Sequence, residues 1–250
     1  MGIASPIEQF EIHALSPTLF HLAGQPVTFT NSAFWMMFSA ASAGFFMLYA
    51  MRRQAVIPGR LQMFAEMLFN MIAGTLLEAA GPKAKAFIPF IFTIFMFVFS
   101  CNLWGLFPHS LTVTAHIVVN FALALTVLLT VIVTGFVKHG PSFIRVFVPH
   151  GVPPVLLPFL SMIEFISFWV RSFSLSLRLF GNMLAGHILL KVFAGMTAAI
   201  ATSGWVATAG IFPLLLNIII VAFELFVAGL QAYVFTVLSS VYLRDALEMH

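Results

Sequence analysis

Three basic side chains lie inside long apolar stretches of the sequence, where a charge is costly to bury: Arg171, Arg178 and Lys191. An arginine at the centre of a membrane helix costs roughly 2.5–3.5 kcal/mol on insertion scales, and a guanidinium keeps its charge in proteins. Arg171 and Lys191 are interpreted as helix-end residues whose charges snorkel toward water. Arg178 is nearest the midpoint of its apolar stretch, residues 155–195, so a function in ion movement is predicted for it.

One face of the helix that carries Arg178 is predicted to receive another helix. At 100° per residue, Glu164, Arg171 and Arg178 share this face. Small and polar side chains fall within about 60° of Arg178 on the same helical wheel, namely Ser174, Gly181, Asn182 and Ala185. A stripe of small residues allows two helices to approach closely. His187 is expected on the opposite side of the helix.

The last apolar stretch, residues 211–243, has a second heptad line of polar side chains: Asn217, Glu224 and Gln231. Two such stretches can fold back on each other as an antiparallel hairpin. If His187 is level with Glu224 in that hairpin, Arg178 is expected within one helical turn of Gln231.

These positions predict two polar clusters at different depths in the membrane, with Arg178 between them. The outer cluster contains His187 and Glu224, and the outer ends of the middle spans add Asn102, His116 and Asn120 at a similar depth. Glu164 is expected on the inner side. This arrangement suits two half-channels that do not connect. An alternative stays open for four polar residues, which could simply hold helices together by hydrogen bonds: Asn102, Asn120, Ser174 and Asn217.

Composition requires that these helices lie in a membrane. Of the 250 residues, 61% are hydrophobic and only 8% are charged, whereas about a quarter of the residues are charged in a soluble domain. Several apolar runs reach the roughly 20 residues that span a bilayer as a helix. The runs are too long and too uniform for barrel strands, so an all-α membrane protein is predicted. The scattered basic residues form no patch, and no nucleic-acid partner is expected.

The predicted organisation is a single membrane domain over residues 1–250, with about five membrane-embedded helices and one amphipathic interfacial helix. Its parts are an N-terminal segment outside the membrane at 1–32, a first span at 33–51, the amphipathic helix at 61–80, a helical hairpin at 87–137 and a long channel hairpin at 155–243.

The long hairpin is unusual for its length. At 1.5 Å per residue, its helices over 155–195 and 211–243 would be about 60 and 50 Å long. The hydrocarbon core of a bilayer is only about 30 Å thick. Either each helix tilts steeply or each breaks in the middle. Prolines occur only near the helix starts, which favours a steeply tilted antiparallel hairpin.

The lysines and arginines outside the spans all fall on one predicted side of the membrane: Arg52, Arg53, Arg60, Lys83, Lys85, Lys138, Arg145 and Arg244. The segments on the other side, 1–32, 108–112 and 196–210, contain neither residue type. The positive-inside rule therefore predicts an N-terminus outside the cytoplasm and a C-terminus inside it.

Three motifs resemble signatures of the subunit a family of rotary F-type ATP synthases. Residues 176–187, SLRLFGNMLAGH, are similar to the penultimate helix of that family. LQAYVF at 230–235, followed by VYL at 241–243, resembles its last helix, and NLWGLFPHS at 102–110 resembles its middle-span motif. The similarity extends over most of residues 60–245.

The resemblance implies a role for each matching residue. Arg178 would face the carboxylate of a rotating c-ring, with Asn182 and Gln231 as polar neighbours. His187 and Glu224 would pair in the outer half-channel. In some bacterial members the acid lies on the penultimate helix and the histidine on the last, and this chain has the exchanged arrangement of mitochondrial members.

The resemblance also implies Glu164 as the acid of an inner half-channel. Asn217, on the heptad line of the last stretch, is a further candidate for the lining of the outer one. The resemblance implies a stator subunit that moves H+ without itself being an enzyme, and it implies no cofactor or metal. Expected partners are the c-ring, peripheral-stalk subunits of the b type and the lipid bilayer. A bacterial inner membrane is favoured over the mitochondrial inner membrane.

Two other classes of protein also bury charges in membranes. A secondary transporter or a free-standing channel is disfavoured because the sequence has no internal repeat and has two overlong helices. A haem-bearing respiratory subunit needs axial ligands at suitable depths. It is disfavoured as well, because His187 is the only histidine well inside a predicted span.

Overall fold

The computed structural model describes most of the chain, namely residues 13–15, 20–22, 25–52, 55, 57–107, 110–141, 143, 156–202 and 211–247. Within these residues the chain forms six α-helices: α1 (Asn31–Ala50), α2 (Arg60–Ala80), α3 (Ile88–Gly105), α4 (Ile117–His139), α5 (Leu157–Thr202) and α6 (Ile211–Leu247). All six are long and apolar enough to cross a membrane. The predicted all-α membrane architecture is confirmed, and the chain is a multi-pass membrane protein.

A small antiparallel ribbon precedes α1 and was not predicted from the sequence. Strand β1 (Phe20–Leu22) pairs with β2 (Gln25–Val27), and Phe20 lies opposite Val27. Thr30 then caps α1, because its hydroxyl accepts a hydrogen bond from the backbone N–H of Ala33 at 3.3 Å.

Helix α2 buries one face and exposes the other, as expected for the amphipathic helix predicted at 61–80. Its buried side chains recur every three or four residues: Ala65, Leu68, Ile72, Leu76 and Ala80. Met63, Met67 and Met71 are exposed. The helix ends at Gly81, whose φ of 71° is readily adopted only by glycine, and a 3-10 turn over Pro82–Phe87 leads into α3.

Helices α5 and α6 are continuous over 46 and 37 residues, which corresponds to about 69 and 56 Å. The alternative that each breaks in the middle is therefore wrong. Pro158 and Pro213 lie near the starts of the helices, where proline is tolerated. Helices of this length must tilt steeply in a hydrocarbon core of about 30 Å.

Helix α5 extends beyond its predicted end. It continues to Thr202, although residues 196–210 were predicted as a loop. The sequence MTAAIAT at 196–202 consists of good or acceptable helix formers, and one glycine before it, Gly195, does not end the helix. Residues 203–210 lie outside the described part of the chain, as do Arg53, Pro108, His109 and Arg145.

The described residues divide into two compact units whose boundaries fall within helices. The first unit draws on Met1–Phe46, Phe97–His116 and Leu179–Ala232, and the second on Met47–Met96, Ile117–Arg178 and Tyr233–His250. In the first unit, buried Ala115, Met183 and Ala228 form a core against which Leu106 packs. In the second unit, the rings of Phe69 and Phe92 pack edge to face, with 5.3 Å between their centroids.

Candidate functional site

A histidine and a glutamate meet in the interior of the first unit. His187 of α5 and Glu224 of α6 are 8% and 7% exposed, and Nδ1 of His187 lies 3.9 Å from Oε1 of Glu224. Oε2 of Glu224 is buried and receives no hydrogen bond from the described residues. Burial of a charged carboxylate is costly without a partner, and a protonated His187 would offset part of this cost.

The imidazole of His187 is held at both ring nitrogens. Nε2 lies 2.7 Å from the carbonyl oxygen of Gly105 and 2.9 Å from the hydroxyl of Thr112. Nδ1 lies 2.9 Å from the carbonyl oxygen of Met183. A neutral ring donates from only one nitrogen. The protonated ring is therefore the form that can donate to both carbonyl oxygens at once.

Gly186 permits the close approach of Glu224 to α5. A Cβ atom at position 186 would overlap the Glu224 carboxylate, with Oε1 as its nearest atom. This requirement could not be predicted from the sequence, in which Gly186 is only one residue of the helix motif. The packing of α6 onto α5 makes the glycine necessary.

A cavity of about 650 Å³ lies between α5 and α6 beside this pair. Asn182 and Gly186 line it from α5, and Phe223 and Glu224 line it from α6. The remaining lining is mostly aliphatic. The Glu224 side chain therefore borders a space that extends along α5 as far as Asn182.

Asn182 and Gln231 form a second contact between these helices. Nδ2 of Asn182 donates to Oε1 of Gln231 at 3.0 Å. Asn182 precedes His187 on α5 while Gln231 follows Glu224 on α6, so the two helices run antiparallel, as predicted. Gln231 is 1% exposed, and its Nε2 group makes no hydrogen bond within the described chain.

The remaining candidates for the outer cluster each have surroundings of their own. Nδ2 of Asn102 donates to the carbonyl oxygen of Ala228 at 3.1 Å, which joins α3 to α6 in the first unit. His116, just before α4, is half-buried, and this burial lowers its pKa. Asn217 has a buried Oδ1 with no hydrogen bond from the described residues. Asn120 is fully buried but belongs to the second unit.

Arg178 lies on the exposed face of α5. No carboxylate of the described residues lies within 4.0 Å of its guanidinium, the distance limit for an ion pair. The small and polar side chains predicted to surround it are exposed as well: Ser174, Gly181, Asn182 and Ala185. The buried residues on the other sides of the helix are Leu175, Leu179, Met183 and His187, and the nine residues from Arg178 to His187 amount to two and a half helical turns. Arg178 and His187 therefore occupy opposite faces of one helix.

A third polar group lies in the second unit, around Arg171. Its guanidinium donates to Oδ2 of Asp245 at 3.2 Å and lies 4.0 Å from Oε1 of Glu164. Arg171 was interpreted as a snorkelling residue, but the structure places it between two carboxylates. Asp245 was not among the predicted site residues, because its contact depends on the helix register rather than on any local motif.

The chain is similar to proteins of one family over almost its whole length. The family model for the ATP synthase A chain matches residues 33–244. The chain is 49% identical over 243 residues to the ATP synthase subunit a of Parvibaculum lavamentivorans, covering 97% of this chain and 93% of that protein. It is 50% identical over 242 residues to the ATP synthase subunit a of Beijerinckia indica subsp. indica, covering 96% and 95%. The chain belongs to the ATP synthase A chain family.

Proposed function

We propose that this chain is the proton-conducting stator subunit of a rotary ATP synthase in a bacterial inner membrane. It provides two offset half-channels that deliver protons to, and collect them from, the carboxylates of a c-ring. One observation carries the proposal: the exposed cation Arg178 and the buried His187–Glu224 pair lie on opposite faces of the same helix.

The outer half-channel is assigned to Glu224 and His187. A proton arriving from outside binds this pair, in which either side chain can hold it. The cavity that Glu224 shares with Asn182 gives the proton a direction of transfer, from the buried pair toward the exposed stripe around Arg178. A carboxylate of the ring meeting that stripe takes the proton and becomes neutral, so it can enter the lipid.

Arg178 separates the two half-channels. Its positive charge stabilises the ionised form of a ring carboxylate that approaches within about 4–6 Å, so the carboxylate releases its proton there. The same charge repels a hydronium ion that would otherwise pass directly between the half-channels. The exposed Ser174, Gly181 and Ala185 around it leave room for a helix of the ring.

The inner half-channel is assigned to Glu164, on the face of α5 that also carries Arg171. The pairing of Arg171 with Asp245 adds a second carboxylate near this acid. Two carboxylates around one guanidinium provide acceptors for a proton that leaves toward the cytoplasm. In this orientation the N-terminus lies outside and the C-terminus lies in the cytoplasm, as the distribution of lysine and arginine indicates.

The chain itself makes and breaks no covalent bond in this mechanism. Its partners are the c-ring and peripheral-stalk subunits of the b type, and the transported ion is H+. The driving force is about 2.3 kcal/mol per charge for each 100 mV of membrane potential. The stator converts this energy into directed rotation because a ring carboxylate can lose its proton only on one side of Arg178.

The test is Arg178→Ala in the complete ATP synthase, reconstituted into vesicles and followed with a pH-sensitive dye during ATP hydrolysis. ATP-driven acidification should be abolished while the detached soluble head still hydrolyses ATP. Arg178→Lys should also fail largely, because a compact ammonium does not reproduce the planar guanidinium. Normal pumping by Arg178→Ala would refute the mechanism. Proton leak by the purified chain alone, without a c-ring, would instead favour a free-standing channel.

A further inference from the structure

A cavity of about 550 Å³ lies in the second unit, where α1 ends and α2 begins. It is separate from the polar groups assigned to proton movement. Its lining combines an aromatic side chain, two arginines and the turn between the helices: Tyr49, Arg52, Ala55, Gly59, Arg60 and Gln62. The turn follows α1, which is long and apolar enough to span a membrane, so it lies at the membrane surface.

The cavity is cationic, and no carboxylate of the described residues forms an ion pair with either of its arginines. Arg52 and Arg60 are exposed. Among the described residues, no carboxylate lies within 4.0 Å of either guanidinium. Glu66, one turn along α2 from Gln62, is engaged by the Gln62 amide at 2.8 Å. Two unpaired guanidinium groups at one cavity are suited to a phosphate, whose oxygens match the planar fork of arginine.

The start of α2 adds to this preference for an anion. The helix has no acidic side chain in its first turn, and Gly59 at its N-cap provides no side-chain hydrogen bond. The first N–H groups of a helix point along its axis and carry a partial positive charge. Gly59 and Arg60 at this helix start line the cavity, so the helix dipole adds to the charge of the two arginines.

The wall of the cavity is fixed by a buried side chain. Gln62 is 8% exposed, and its amide contacts both backbone groups of Ala55. Nε2 donates to the carbonyl oxygen at 3.2 Å, and Oε1 accepts from the N–H at 3.4 Å. This two-point contact holds the turn against α2 and preserves the concave shape between the two arginines.

Exposed apolar side chains occur on the same elements as the cationic cavity, and Leu61 lines it. Leu48, Ile57, Leu61 and Met63 are 77%, 87%, 51% and 57% exposed. They come from the end of α1, the turn and the first turns of α2, which are the elements that line the cavity. A cationic cavity whose helices also expose apolar side chains at a membrane surface fits a molecule with an anionic head and hydrocarbon chains.

We propose that this cavity binds the phosphate of an anionic phospholipid from the adjacent leaflet. Arg52 and Arg60 hold the phosphate, and the acyl chains lie along Leu48, Leu61 and Met63. The inference requires that α1 and α2 lie in the membrane, and it is independent of the proton path proposed above. The bound lipid would fix the α1–α2 turn against the membrane surface.

The experiment uses the complete ATP synthase in detergent, supplied with phosphatidylglycerol that carries a photoactivatable group on one acyl chain. Crosslinks are mapped by mass spectrometry, and we expect them within residues 48–63. The Arg52→Gln/Arg60→Gln variant should lower the apparent affinity by about 30-fold, since each charge near an anionic lipid surface contributes about fivefold. Lys83→Gln/Lys85→Gln is the matched control, which removes two exposed charges at the other end of α2 and should leave this labelling unchanged.

Three outcomes would overturn the proposal. Equal labelling of residues 48–63 in the Arg52→Gln/Arg60→Gln variant would show that the arginines do not hold the lipid. Displacement of the label by inorganic phosphate alone would identify a site for free phosphate. Labelling that appears only after removal of the peripheral-stalk subunits would show that another protein chain covers the cavity in the complete complex.

Discussion

His187 and Glu224 face each other across the α5–α6 interface, with 3.9 Å between Nδ1 and Oε1, and both side chains are almost fully buried. The imidazole is further fixed by the backbone oxygens of Gly105 and Met183, whereas one carboxylate oxygen of Glu224 has no hydrogen bond from the described residues. The histidine is thus the anchored member of the pair, and the glutamate has an oxygen left for a proton.

Removing either member of this pair is expected to slow proton delivery from outside. His187→Ala or Glu224→Ala should reduce ATP-driven acidification of vesicles by about 100-fold, the lower end of what a positioned acid–base group contributes. The exchange variant, His187→Glu with Glu224→His, should perform better than at least one single variant because it restores one acid and one imidazole. A double-mutant cycle without coupling energy would show that the two residues act independently.

Gly186→Ala is expected to displace the Glu224 carboxylate, because the new Cβ would overlap it. Overpacking of this kind costs about 1–3 kcal/mol, and pumping should fall with it. Gly195→Ala on the same helix is the control, since a Cβ there meets no atom within 4 Å and alanine favours the helix. Thermal unfolding and pumping of both complexes provide the comparison. Equal behaviour of the two variants would contradict the close packing of Glu224 on α5.

The exposed stripe of α5 is expected to contact the c-ring. In a background with Cys101→Ala, single cysteines at positions 174, 178 and 182 should form crosslinks to a cysteine on the ring helix. A cysteine at position 187 should not, because this position faces the opposite, buried side of α5. Crosslinking yields on gels of oxidised membranes measure the difference. Efficient crosslinking from position 187 alone would show that the ring contacts the other face of α5 and would contradict this prediction.

The Arg171–Asp245 pair is expected to affect proton release more than stability. Each side chain is about 40% exposed, and partly exposed ion pairs contribute about 1 kcal/mol or less. Arg171→Gln should therefore change thermal unfolding little while it slows passive proton flow through the membrane sector. Arg244→Gln, which removes an exposed charge next to Asp245, is the control. A large loss of thermal stability in Arg171→Gln, with normal proton flow, would assign the pair a structural role only.

The half-buried His116 predicts a pH dependence of stability. Burial lowers its pKa below the usual value of 6.5, so the unfolded chain binds more protons between the two pKa values. The free energy of unfolding must then rise with pH through this window and decrease as pH falls. His116→Gln should flatten the dependence of thermal unfolding on pH between about 5 and 7, the range over which histidine titrates. An unchanged dependence in the variant would show that other groups cause it.

Much of the architecture could be predicted from local patterns. Apolar runs of about 20 residues or more require helices in a membrane because the lipid offers the backbone no hydrogen bonds. The wheel around Arg178 predicted which side chains share its exposed face, since helical periodicity is fixed. The N-terminal ribbon and the extension of α5 to Thr202 were missed, because short strands have weak local signals and a single glycine does not terminate a helix.

The sequence by itself determined that the protein lies in lipid and which segments form its helices. It also determined that Arg178 and His187 lie on different faces of one helix, and it indicated the family through its motifs. Only the tertiary structure decided which side chains meet across the helices. The requirement for Gly186, the anchoring of His187 by Gly105 and the contact of Arg171 with Asp245 all depend on the register and spacing of α5 against other segments. A helix determines the direction of its own side chains through its periodicity, but the partners of those side chains are set by packing between distant parts of the chain.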